Sequence, residues 1–299
     1  MNTASFDLRE YLRQRVALVD EALTRYLPSE HLRPQVLHRA MRYSTMSGGK
    51  RLRPVLVIAG AEAVGGDAEL VMPAACAVEL IHTFSLIHDD LPAIDNDTLR
   101  RGRPTCHVQF GEAVAILAGD ALFAEAFQLV ARNAETVPAE RVVRALQVVA
   151  EASGTRGMVG GQMVDIESEG KQVDAVTLEY IHRHKTAALI RASVVSGAIL
   201  AGGETWQVDL LSRYGELVGL AFQITDDLLN VTGDPRKTGK AVGTDAARGK
   251  ATYPALFGVE ASRERARELV NAAVDTLVPL EERACALRAL AYLMVEREE

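Results

Sequence analysis

Two stretches of this chain, "AACAVELIHTFSLI" (74–87) and "RASVVSGAILA" (191–201), are apolar around nearly their whole circumference when drawn as helices. A helix of that kind cannot rest one face on a core and turn the other to water, so it belongs in the middle of a bundle. Helical periodicity recurs along almost the whole chain. The spacing predicts helices over roughly 6–26, 34–46, 53–64, 69–90, 109–133, 138–166, 175–202, 206–231, 252–277 and 281–297. No run shows strict apolar/polar alternation, so strands are not expected as major elements. The breakers "SGGKRLRP", "GGDAE", "RGRPT", "AGGET" and "TGDPRKTGKAVGTDAARGK" read as turns or short loops. The 299 residues are 48% hydrophobic but only 5% aromatic, a mix that suits helices better than sheets. With no linker and no repeat, the expectation is one large all-α domain over 1–299, a bundle of helices around buried central ones.

The net charge of −7 argues against a nucleic-acid binder, which usually carries a basic face. Cys76, Cys106 and Cys285 have no metal spacing and read as small apolar residues of a reducing compartment. The start "MNTASFDLREYLRQR" lacks the pattern of a secretory signal. Glu79, His82, Asp120 and Glu125 interrupt the apolar stretches, so no membrane span is expected. The expected location is the cytoplasm.

The chemistry concentrates in "SLIHDDLPAIDNDTLRRGRPTCH" (85–107), where acids run straight into arginines. His82 and Asp89 lie seven residues apart and share a helix face. Asp95 would fall about 120° away in a continuous helix. Pro92 cannot continue the helix, however, and lets the chain swing Asp95 back towards Asp89. Carboxylates at a helix C-terminus face the negative end of its dipole. A hard divalent cation such as Mg²⁺ would offset that repulsion, as would plain solvation of an acidic loop. A second cluster, "FQITDDLLNVTGD" (222–234), puts Gln223, Asp226, Asp227 and Asn230 within an arc of roughly 100° on one helix. An Asp pair there is costly to bury without a cation, or else it is exposed. Lys50, Arg53, Arg100, Arg101, Lys185, Lys240 and Lys250 sit in loops or at element ends. Two acidic sites flanked by cations suggest metal and a polyanion, with diphosphate the obvious one.

The motifs "GGKRLRP", "HTFSLIHDDLPAID" with "RRGRPT", "GGQMVD", "HKT", "FQITDDLLN" and "GKAVGTDAARGKATYP" together resemble the bacterial trans-isoprenyl diphosphate synthases, and the farnesyl diphosphate synthase (geranyltranstransferase) type in particular. The resemblance runs from about residue 40 to 255. It implies the isoprenoid synthase fold, helices around a central apolar cavity, and a homodimer. It implies head-to-tail transfer of an allylic group onto isopentenyl diphosphate, with about three Mg²⁺ per site. Asp89, Asp90 and Asp95 would form the first Asp-rich motif, and Asp226 and Asp227 belong to the second. Lys50, Arg53, His82 and Arg101 would bind isopentenyl diphosphate. Arg100, Lys185, Thr186, Gln223 and Lys240 would serve the allylic diphosphate, with Lys250 near them. Gln162 and Asp165, one turn apart, would face the same cleft, Asp165 among the metal ligands. The second motif usually ends in Asp and here has Asn230, which can still offer its carbonyl.

The implied chemistry is ionisation of the allylic carbon–oxygen bond, helped by metal and cations, with no side-chain nucleophile. The Gly- and Lys-rich segment 233–250 would act as a lid. Phe84, on the order of 7.5 Å below Asp89 along the helix, resembles the farnesyl-type floor, with the small Ser85 beside it. The expected product is therefore C15, with C20 as the alternative. A non-catalytic subunit of a heteromeric prenyltransferase, a terpene cyclase and a minor-groove DNA binder were the rivals. The second-motif spacing argues against the cyclase, and the acids before "RGRP" argue against DNA.

Overall fold

A computed structural model describes residues 6–232 and 250–295. The described residues are overwhelmingly helical. The helices are α1 (Leu8–Tyr26), α2 (Gln35–Thr45), α3 (Leu52–Ala63), α4 (Ala68–Asp89), α5 (Cys106–Phe110), α6 (Glu112–Arg132), α7 (Ala139–Ser153), α8 (Met158–Ser168) and α9 (Ala175–Ile181). Then come α10 (Ala188–Leu200), α11 (Thr205–Thr232), α12 (Tyr253–Phe257), α13 (Val259–Thr276) and α14 (Cys285–Val295). Among the described residues one two-stranded ribbon, β1 (Leu99–Arg100) with β2 (Arg103–Pro104), interrupts them. Several starts are set by capping aspartates. Asp7 accepts the amide of Glu10 at 3.0 Å, Asp67 that of Leu70 at 2.9 Å, and Asp174 that of Thr177 at 2.8 Å.

The two stretches that are apolar all round do lie in the middle. Every residue of α10 from Leu189 to Leu200 is buried except Arg191. Around it pack α3, α4, α7 and α11. The α3–α10 crossing is backbone on backbone. A methyl added to Gly60 would strike the Val194 carbonyl, and one on Gly197 the Val57 carbonyl. Each glycine costs its helix about 1 kcal/mol of propensity, which the close packing offsets.

Four expected helices are broken where a lone glycine or an extra residue leaves the apolar period intact. The stretch 138–166 divides at Gly154–Gly157 into α7 and α8. Gly111 (φ 87) separates α5 from α6, and Gly258 (φ 83) separates α12 from α13. Both glycines sit in the left-handed region open to them. Between α9 and α10 the chain makes a π turn, His182–Ala187, rather than a plain α-helical one. α4 and α6 are each long and apolar enough, by length and composition, to cross a membrane, contrary to the sequence reading. The few polar residues that punctuate them do not lower mean hydropathy enough. α4 spends that apolarity on the core, where two thirds of it is buried.

Candidate active site

α4 stops at Asp89, two residues ahead of Pro92's neighbour Leu91, and the chain turns back at once. The Asp95 amide donates to the Asp89 carbonyl at 2.8 Å, and the Leu91 carbonyl accepts from Ile94 (2.9 Å) and Asn96 (3.0 Å). This tight return brings Asp95 beside Asp89, as Pro92 leads one to expect. Asp89 is raised to about 6 by burial, with Lys185 opposing and Asp95 adding to the rise.

Asp90 does not join them. It is buried and gripped by Arg100, whose Nε lies 3.0 and 2.9 Å from its two oxygens and whose Nη2 lies 2.6 Å away. Arg100 reaches it because Arg101 (φ 52) and Gly102 (φ 72) form the two-residue turn of the β1–β2 hairpin. The sequence grouped all three aspartates as metal ligands. The structure turns Asp90 towards the arginine instead: Asp90 keeps helical dihedrals and donates to the Leu86 carbonyl at 3.1 Å, so one residue on from Asp89 its side chain leaves about 100° further round the helix.

Two lysines stand between the acids. Lys185 Nζ lies 2.6 Å from Asp165 of α8, and Lys250 Nζ lies 3.0 Å from Asp95 and 3.9 Å from the same Asp165 oxygen. Among the described residues no three acids close on one point. Asp165 and Asp89 hold the half-buried Lys185 ammonium in its charged form against the cost of desolvation. The π turn places this lysine, and Gly161 of α8 makes room for it. A methyl on Gly161 would strike the Lys185 backbone amide. Such local π geometry is frequent at functional sites. One turn before Asp165, the Gln162 Oε1 is buried without a hydrogen bond. Carboxylates from three elements, held at close quarters by lysines, and an orphaned amide oxygen are the donor set a hard divalent cation takes.

On α11, Asp226 and Asn230 are half-buried and four residues apart on one face. Asp227 is different. Its Oδ1 accepts from Gln223 Nε2 at 3.0 Å, and its Oδ2 accepts from the Tyr253 amide at 2.8 Å and lies 3.2 Å from His182 Nε2. Gln223 in turn accepts from the Thr186 hydroxyl at 2.7 Å. Thr186, Gln223 and Asp227 thus form a buried bracket that ties the π turn to α11 and α12. The structure gives Asp227 this bracing place rather than an open one, since its oxygens are already committed.

The basic residues at 47–53 and 101 form a third group. Arg101 donates to the Gly48 carbonyl and lies 3.5 Å from the Ser47 hydroxyl, so its guanidinium covers the loop. Gly49 (φ 132) leaves the space that the guanidinium fills. Lys50 is exposed, while Arg53 on the first turn of α3 and His82 on α4 are half-buried. Phe84 packs its ring against His88 at 4.8 Å and Phe123 of α6 at 4.7 Å, and Ser85 donates to the His82 carbonyl at 2.9 Å. Lys240 and the expected lid at 233–249 lie outside the described residues.

The sequence reading did not single out His182, Tyr253, Gly161 or the buried pair Arg51 and Glu79. His182 was within reach, three residues before Lys185. Tyr253 contributes a backbone amide, which no residue type announces.

The polyprenyl synthetase family profile matches residues 34–282. The chain belongs to the polyprenyl synthetase family. It is 45% identical to a geranylgeranyl diphosphate synthase of Cyanophora paradoxa, over 98% of this chain and 97% of that one. It is 48% identical to the large subunit 1 of a heterodimeric geranylgeranyl pyrophosphate synthase of Arabidopsis thaliana, over 99% and 81%. Among solved structures it superposes on an FPP/GFPP synthase of Zymomonas mobilis with a TM-score of 0.86 at 37% identity, covering 96% of this chain and 98% of that one. The polyprenyl synthetase is therefore a prenyltransferase with the all-α isoprenoid synthase fold. The expected C15 product is overturned: the relatives at 45–48% identity include a series of geranylgeranyl diphosphate synthases. One aromatic ring at position 84 was too little to fix product length. Phe84 is only one part of an aromatic row with Phe123 and Phe127.

Proposed function

We propose that this polyprenyl synthetase makes geranylgeranyl diphosphate, adding isopentenyl diphosphate head-to-tail to allylic diphosphates until the product reaches C20. The names of its relatives support the length. The observation that carries the chemistry is the convergence of Asp89, Asp95 and Asp165 on Lys185 and Lys250. Asp89, Asp95 and Asp165 would hold Mg²⁺ on one side, with Asp226 and Asn230 on the other, and three ions per site is the expected count. Mg²⁺ held by these residues would supply Lewis-acid neutralisation of the leaving diphosphate. Lys185, Lys250 and Arg100 add positive charge on that side, with Lys240 as a further candidate. Asp90 keeps Arg100 in place, and Asp227 keeps Gln223 and Thr186 in place. Lys50, Arg53, His82 and Arg101 hold the diphosphate of the isopentenyl substrate, whose double bond attacks the allylic carbon. The proton lost goes to the departing diphosphate, and no side chain needs to act as nucleophile.

Purified protein supplied with Mg²⁺, isopentenyl diphosphate and farnesyl diphosphate should yield a C20 product, and EDTA should abolish it. Farnesyl diphosphate left unextended, while dimethylallyl diphosphate is still elongated to C15, would refute the C20 assignment. We also propose a homodimer. α5 and α6 leave Val108, Ile116 and Leu117 exposed at 51%, 43% and 58%, apolar side chains that a second copy would cover. Sedimentation should give about twice the 32.4 kDa of one chain. A monomeric mass would remove this reading and leave a different subunit as the cover.

A further inference from the structure

In "GGKRLRP" three cations follow one another, and Arg51 looks like one more anion-binding residue beside Lys50 and Arg53. Its side chain is instead consumed inside the protein. The Nη1 lies 2.7 Å from Glu79 Oε1, the Nε lies 2.8 Å from Asp20 Oδ1, and the Nη2 donates to the Thr45 carbonyl at 2.8 Å. The Arg51 and Glu79 side chains are only 2% and 4% exposed. A buried pair of this kind gives little net stability against its desolvation, so it often holds something in register.

What it holds is specific. Arg51 is the capping residue of α3, in the left-handed region at φ 47, and its carbonyl accepts the Val55 amide at 3.1 Å. A non-glycine residue there costs about 1–2 kcal/mol. Lys50 precedes this point and Arg53 follows it on the first helical turn. Glu79 lies one turn before His82 on α4. The Arg51–Glu79 contact therefore fixes the loop carrying Lys50 and Arg53 against the turn carrying His82. Thr45, at the end of α2, anchors the base of the same loop, and Arg101 lies over its glycines.

We propose that Arg51, with Glu79 and Asp20, is a positioning residue that sets the isopentenyl diphosphate subsite without touching the substrate. The proposal rests on the reading that Lys50, Arg53, His82 and Arg101 bind that diphosphate. Glu79→Gln keeps the shape but removes the charge. It should raise KM for isopentenyl diphosphate about tenfold, with kcat and the allylic KM within about twofold. Replacing the whole pair, Arg51→Met with Glu79→Leu, should keep a cooperative melt near that of wild type and show the same selective rise. A purely stabilising pair predicts a wild-type KM in that double variant, and this result would overturn the proposal, as would an equal rise in both KM values. If neither variant folds, Asp20→Asn, whose side chain is 43% exposed, should still raise the isopentenyl KM about threefold. An unchanged value there would also overturn it. Lys50→Ala serves as the control. If it leaves the isopentenyl KM unchanged, the subsite reading fails and takes the proposal with it. A normal control response with unaffected Glu79 variants sinks the proposal alone.

Discussion

Asp89→Asn should lower turnover by about three orders of magnitude and leave a folded protein that is more stable than wild type without metal above pH 6. The loss follows from removing a charged oxygen donor where a leaving diphosphate must be neutralised, a term worth about 3–4 kcal/mol in comparable sites. The gain in stability follows from burial. Burial pushes the Asp89 carboxyl up from an ordinary 3.8 to about 6. An acid raised by folding binds more protons in the folded than in the unfolded state between those values. Its ionisation therefore costs stability progressively as pH rises through about 4 to 6. Partial exposure discounts the full shift, leaving about 1–2 kcal/mol. Asparagine carries no such cost. Thermal melts in EDTA should show the variant ahead of wild type at pH 7 and level with it near pH 4. Equal melting temperatures at both pH values would mean that Asp89 is not desolvated, and retained turnover would remove it from the catalytic group.

Asp226→Ala and Asp227→Ala should fail in different ways although the residues are adjacent. Asp226 lies on the half-buried face with Asn230, so its removal should cost activity by about two to three orders of magnitude and leave the melt nearly unchanged. Asp227 is buried and accepts hydrogen bonds from Gln223 and the Tyr253 amide, beside His182. Its removal leaves those groups without their acceptor and should destabilise by about 3–5 kcal/mol, with Thr186 and Lys185 shifting as the bracket opens. Circular-dichroism melts beside rate measurements separate the two. An Asp227→Ala protein that melts like wild type would contradict the bracing role, and one selectively poor in metal response would return Asp227 to the metal group.

Much of this was legible in the sequence because it rests on local rules. Pro92 cannot extend a helix, so the return of Asp95 to Asp89 was readable from 85–97. The all-round apolarity of 191–201 placed α10 at the centre, since no other environment accepts such a helix. The two Asp clusters and the cations around them were readable as a possible metal and polyanion site from type and spacing, whereas Gln162, Asp165 and Thr186 entered only through the family resemblance. The division of labour within the site was not readable. Asp89 and Asp90 are neighbours of one type, yet one faces Lys185 and the other is held by Arg100 from a hairpin ten residues on. Asp226 and Asp227 part in the same way, because the partners of Asp227 come from the π turn and from the backbone of α12. Arg51, which the sequence reading passed over between Lys50 and Arg53, is spent on Glu79 and Asp20. Residue type and helical period act over a few residues and determined the fold class and where the acidic and basic clusters lie in the chain. Which carboxylate or guanidinium stays open to a ligand depends on partners tens of residues distant, and only the packing of the helices decided that.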